Sequence, residues 1–112
     1  GIEKNTIIIF MSDNGGISNP GTRGGKQFTQ NYPLRAGKGS VYEGGIRVPF
    51  LARWPSKIKA GTISDFPSVQ YDMMATLAQL TRQKAPVSDG ISILPTLLGS
   101  PQTQVKRGFM YF

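Results

Sequence analysis

The chain has 112 residues, enough for one domain or for a piece of a larger one, and a genuine hydrophobic core is possible at this size. It contains no cysteine and no histidine, which excludes disulfides, thiolate metal sites, a cysteine nucleophile, an imidazole base and therefore a self-contained Ser-His-Asp or zinc-hydrolase centre within these residues. The net charge of +7 points to an anionic partner: nucleic acid, anionic lipid, or a phosphorylated or sulfated substrate. The basic residues are scattered, however, and no RNA-binding aromatic signature accompanies them. No apolar run approaches the roughly 18 residues that a membrane span requires.

In chain order, residues 6–11 (TIIIFM) form a β-branched and aromatic run, the pattern of a strand buried on both faces of a central sheet. It stops at Ser12-Asp13-Asn14-Gly15-Gly16, a cluster of turn formers. Residues 15–45 hold nine of the 14 glycines, and a loop of this length inside a compact chain is usually functional or disordered. Residues 46–54 (IRVPFLARW) predict a second strand, with Pro49 marking an edge, a bulge or an interruption. A turn-rich connection follows over 55–67. Ser68 then offers an N-cap, Asp72 suits the positive end of the helix dipole, and Val69, Met73, Leu77 and Leu80 form one apolar stripe on a helix running to about Arg82. Residues 85–90 read as a loop. Residues 91–98 read as a short extended piece and a helical turn with Pro95 near its start, and residues 108–112 as the beginning of a strand. An apolar strand at the chain end and a first residue other than Met together predict a fragment of a longer protein.

Two constellations carry chemistry. Asp13-Asn14-Gly15 follows a buried strand, and α/β proteins bind ligands beyond the carboxyl ends of their strands. Asp and Asn oxygens suit Ca²⁺ or Mg²⁺, and they can share one ion if the two glycines turn the backbone; a plain Asp-Asn-Gly turn is the reading these residues favour by themselves. The second constellation is residues 33–49, PLRAGKGSVYEGGIRVP. Lys38 lies between Gly37 and Gly39, neighbours without side chains that let an anion approach its ammonium group. This is not a phosphate-binding P-loop, because Gly39 stands where Ser or Thr is required. Glu43 and Arg47 are spaced as a structural ion pair, and Arg35 is either a second anion contact or a surface charge.

The succession SDNG, a Gly-rich loop, LRAGKGSVYEGGIRVPFLARWPSKI, SDFPSVQYDMMATLAQL and DGISILPTLLG resembles the type I sulfatase family over nearly the whole chain, most specifically in residues 33–55. The resemblance implies an α/β fragment of an alkaline-phosphatase-like fold, a mixed sheet with a flanking helix, with residues 1–112 forming the C-terminal portion of a sulfatase catalytic domain. It implies that Asp13 and Asn14 ligate a divalent cation, Ca²⁺ or alternatively Mg²⁺. Lys38 is implied to be catalytic by binding the sulfate group. Asp72 and Asp89 fall in family-like segments and are assigned helix-capping and turn roles.

The family nucleophile is a formylglycine made from Cys or Ser in a C/S-x-P/A-x-R motif, and the nearest candidate, Ser18-Asn19-Pro20-Gly21-Thr22, has Thr in place of Arg. The early Asp pair of the metal site and the family histidines are also missing from these residues. The expectation is that the parent hydrolyses a sulfate ester, either a small molecule or a sulfated glycan, with neither nucleic acid nor membrane as partner, and that the fragment alone is inactive. Family analogy places the parent in the periplasm, outside the cell or in the lysosome. The alternatives are a phosphonate monoester or phosphodiester hydrolase of the same superfamily, and a non-enzymatic basic module that binds polyanions.

Overall fold

The structure, a computed structural model, describes residues 1–18 and 31–109. A 3-10 turn at Glu3–Asn5 precedes strand β1 (Ile8–Met11). A helical turn α1 (Glu43–Ile46), strand β2 (Phe50–Arg53), helix α2 (Asp72–Leu80) and helical turn α3 (Leu94–Leu97) follow. β1 and β2 pair in a two-stranded sheet. The α/β class is as expected, but β1 is not buried on both faces. Ile8 and Phe10 are 55% and 59% exposed and alternate with half-buried Ile9 and Met11, because a two-stranded sheet here is covered on one side only. The second strand is also shorter than the sequence predicts. Pro49 carries no N–H for a ladder, so pairing begins at Phe50, while Ile46 belongs to α1. Among the described residues no helix is long and apolar enough to cross a membrane.

The chain divides into two compact units. The first comprises Gly1–Ile8 and Ala52–Arg107. Its apolar core is small, with Ile93 and Leu94 buried at the start of α3, and α2 packs against α3. The buried positions of α2 are Asp72 and Thr76, whereas Leu77, assigned to the apolar stripe, is 41% exposed. Polar chemistry overrides the stripe here. The Thr76 hydroxyl donates to the Asp72 carbonyl at 2.7 Å and accepts the Ile93 N–H at 3.0 Å, so it fastens the residue before α3 to the buried face of α2. Pro95 sits in the first turn of α3, as its sequence predicts, and Gln102 closes the other side, accepting from Thr96 and donating to the Ser92 carbonyl at 2.6 Å.

Ser68 does not cap α2; the helix begins after Tyr71. Asp72 instead reaches back to the Val69 N–H at 3.0 Å and across to the Ile91 N–H at 2.9 Å. It also holds the Arg107 guanidinium through two bonds of 2.6 Å, while its own side chain is fully buried and that of Arg107 is 12% exposed. Burial pushes the Asp72 carboxyl up; the Arg107 hydrogen bonds, the two backbone donors and the guanidinium charge outweigh it and hold the carboxyl below its ordinary value. Asp72 therefore makes no side-chain cap bond to α2, contrary to the helix-capping role expected for it; it joins three stretches of chain instead. Asp89 keeps a turn role, exposed in the 85–90 loop, with its carbonyl accepting from Arg107 at 3.3 Å.

α2 ends at Leu80 in a Schellman arrangement, with Arg82 N–H bonded to the Gln79 carbonyl at 3.2 Å and Gln83 N–H to the Ala78 carbonyl at 2.8 Å. Arg82 occupies the left-handed position at φ 56°, so the helix stops two residues before the sequence pattern does and without the glycine that usually marks such an end.

The second unit is built on Ile9–Leu51 and holds the glycine-rich segment. The strand expected over 108–112 lies mostly outside the described residues; Gly108 and Phe109 are not in a strand.

Candidate functional site

The second unit brings the two chemistry-bearing constellations together. Asp13 and Asn14 occupy the turn immediately after β1, Asp13 exposed and Asn14 half-buried. The Ser12 hydroxyl donates to the Asn14 carbonyl at 2.8 Å and fixes the turn from within. Two residues on, the Gly16 carbonyl accepts the Lys38 N–H at 3.0 Å. The loop bearing Asp13 and Asn14 and the loop bearing Lys38, over 20 residues apart in sequence, are thus joined main chain to main chain. The Gly15 N–H also bonds to the Gly45 carbonyl at 2.9 Å, and within the second constellation the Gly44 N–H bonds to the Arg35 carbonyl at 2.8 Å.

These approaches explain two of the glycines. A Cβ on Gly15 would collide with the Gly44 carbonyl, and one on Gly37 with the Gly16 carbonyl and the Ser18 hydroxyl. Gly37 is therefore a packing requirement, not a gap left open for an anion beside Lys38. Gly39 has free space around it, and Lys38 itself is exposed. α1, with two glycines in four residues, owes its existence to this packing and not to helix propensity.

One residue that sequence reasoning missed organises the cluster. The Asn31 side-chain amide donates to the carbonyls of Gly16 and Ala36, both at 3.0 Å, and lies within hydrogen-bond reach of the Ser18 hydroxyl and the Gly44 carbonyl. Two amide hydrogens shared among four oxygens gather the metal-candidate loop, the Lys38 loop and α1 about one point. No sequence signal marks it: a lone Asn beside a glycine-rich stretch reads as a turn residue. Glu43 and Arg47 form the expected ion pair at 3.7 Å, but the two side chains are 59% and 69% exposed, so it contributes little stability. Arg35 lies over the Tyr42 ring with its guanidinium carbon 3.8 Å from the ring centroid.

Asp13 and Asn14 fit a hard cation in the nature of their donors but not in number. A Ca²⁺ ion takes six to eight oxygens, and among the described residues no three His, Cys, Asp or Glu side chains cluster. They are suited to be part of a cation shell, with other ligands coming from elsewhere.

The acid–amide turn and the lysine loop are joined on one unit, and comparison with known proteins identifies the family. The family profile described as Sulfatase matches residues 1–83, and the chain belongs to the sulfatase family. Arylsulfatase A of Homo sapiens is 37% identical over 113 residues, covering 99% of this chain and 21% of that protein. N-acetylgalactosamine-6-sulfatase of Rattus norvegicus is 41% identical over 103 residues, covering 88% of this chain and 19% of that protein. The solved structure of Ps i-CgsB in complex with k-i-k-neocarrahexaose superposes with a TM-score of 0.66 at 39% identity, over 87% of this chain and 21% of that one. The chain thus spans about a fifth of the length of the relatives it matches.

Proposed function

We propose that this chain supplies part of the active site of a sulfuric ester hydrolase: Asp13 and Asn14 to a divalent cation, Ca²⁺ or Mg²⁺, and Lys38 to the sulfate group. The observation that carries the reading is the Lys38 N–H bond to the Gly16 carbonyl, which ties the ammonium-bearing loop to the loop of the two oxygen donors. When bound, the cation polarises a sulfate oxygen as a Lewis acid. Lys38 orients the sulfuryl group and offsets the charge that gathers on its oxygens as the ester bond breaks. The Asn31 hub and the backbone links join the loops that carry these donors, which limits the reorganisation the reaction would require. The nucleophile, a formylglycine, comes from outside these 112 residues, and the chain alone is inactive. The substrate class is a sulfated saccharide, an inference supported by the hexasaccharide complex of the similar Ps i-CgsB.

The test is made in the full-length protein with a chromogenic aryl sulfate and a phosphodiester. Asp13→Ala is expected to remove most sulfate ester turnover and to lower bound Ca²⁺ in the purified protein, and Lys38→Ala to lower turnover with the metal content retained. An Asp13→Ala variant of unchanged rate and metal content defeats the ligand assignment. Faster turnover of the phosphodiester replaces the sulfatase reading by the phosphoesterase one.

A further inference from the structure

We propose that Arg35 is a specificity residue, held by Tyr42 to recognise a second oxyanion on the saccharide that bears the scissile sulfate. The inference rests on the sulfatase reading of Lys38 and extends it to the part of the substrate that does not react.

Four observations carry it. The Arg35 guanidinium lies 3.8 Å above the Tyr42 ring centroid, and both residues are exposed. A face-on contact of this kind leaves the in-plane N–H donors of an exposed guanidinium, a fork that matches carboxylate or sulfate oxygens, uncommitted. Secondly, those donors have no competing anion. Glu43, the nearest carboxylate in sequence, pairs with Arg47, and among the described residues Arg35 enters no ion pair. Thirdly, the backbone beneath it is fixed on both sides. The Arg35 carbonyl accepts the Gly44 N–H at 2.8 Å, and the Ala36 carbonyl accepts from Asn31 at 3.0 Å, with Ala36 in the left-handed region at φ 61°. An unusual backbone conformation at a non-glycine residue persists only where its surroundings impose it. Finally, Arg35 is three residues from Lys38, whose own N–H is bonded to Gly16. A charged fork with much of its rotamer freedom already removed, on the same short loop as the sulfate-binding lysine, is suited to a substrate carrying more than one negative group. A simple aryl sulfate offers it nothing to bind.

The test compares kcat/KM in the full-length protein for pairs of sulfated saccharides that differ only in a second oxyanion: a second sulfate in one pair, a neighbouring uronate against its neutral sugar in the other. The wild type is expected to prefer the doubly charged member. Arg35→Gln is expected to cut that preference at least about tenfold in one pair or the other, mainly through KM, and the affected pair identifies the oxyanion. Tyr42→Leu is expected to cut it less, because the charge remains but is no longer held. A preference that stays within about twofold of wild type in Arg35→Gln overturns the proposal. So does an equal fall for both members of each pair, the signature of a purely structural stack. A wild type that hydrolyses no sulfate ester in either pair overturns the sulfatase reading itself, and this inference with it.

Discussion

Substituting Asp72 by Asn changes one atom of a fully buried side chain, and the geometry dictates a large effect. Each carboxylate oxygen accepts one backbone N–H and one guanidinium N–H: Oδ1 from Ile91 at 2.9 Å and Arg107 at 2.6 Å, Oδ2 from Val69 at 3.0 Å and Arg107 at 2.6 Å. Whichever way the amide of Asn is turned, its NH₂ group faces two donors. One backbone bond and one charge-assisted bond are lost, worth about 1 and about 1.5–3 kcal/mol, and Arg107 is left without a counter-charge at a site where its side chain is only 12% exposed. The expected destabilisation is about 3–5 kcal/mol, read as a shift of the urea midpoint by circular dichroism. Arg107→Met, which strands the carboxylate instead, falls in the same range of about 3–5 kcal/mol. The double variant Asp72→Asn/Arg107→Met costs clearly less than the two single losses added, because no charge remains buried. A loss under about 1 kcal/mol for Asp72→Asn, or additive losses in the cycle, refutes this account. The pH dependence follows from the same contacts. The folded carboxyl titrates below its ordinary value of 3.8, so its contribution is fully present above that value and disappears as the pH falls through the lowered folded value. The acid-induced loss of stability is therefore expected to be steeper in the wild type than in Asp72→Asn.

Two further outcomes are expected from the second unit. Asn31→Asp is more destabilising than Asn31→Ala, by about 1 kcal/mol or more, because a carboxylate would face up to four oxygens where the amide now donates to them; thermal unfolding of the two variants side by side checks the order. Gly37→Ala lowers stability more than Gly39→Ala, since the first drives a methyl into the Gly16 carbonyl while the second, at φ 85° in open space, meets only the backbone strain of about 1–2 kcal/mol. Equal melting temperatures for the two would contradict the packing described around Gly37.

The elements whose signals are local were legible in the sequence. The β-branched run of β1, the Pro49 interruption ahead of β2 and the Pro95 start of α3 each follow from what a residue does to its own backbone. The failures arise where long-range polar contacts decide. Ser68 is a good cap by composition, yet α2 begins after Tyr71 without a side-chain cap, and Asp72 is committed to Val69 and Ile91. The predicted apolar stripe on α2 gives way at Leu77 because a threonine and an aspartate satisfy the segment that packs there. The candidates Asp13, Asn14 and Lys38 come from motif resemblance alone, and the fold joins the loops that carry them. Asn31 was not found, since its importance lies wholly in partners that only the folded chain gathers.

The stitching of the Gly16 carbonyl to Lys38, and of Gly15 to Gly45, uses atoms that almost every amino acid possesses. The pairing of the acidic turn with the lysine loop is thus written in the peptide spine, and their side chains are carried upon it. Side chains at the tips can be exchanged without redrawing that frame, as long as Gly15 and Gly37 beneath stay bare.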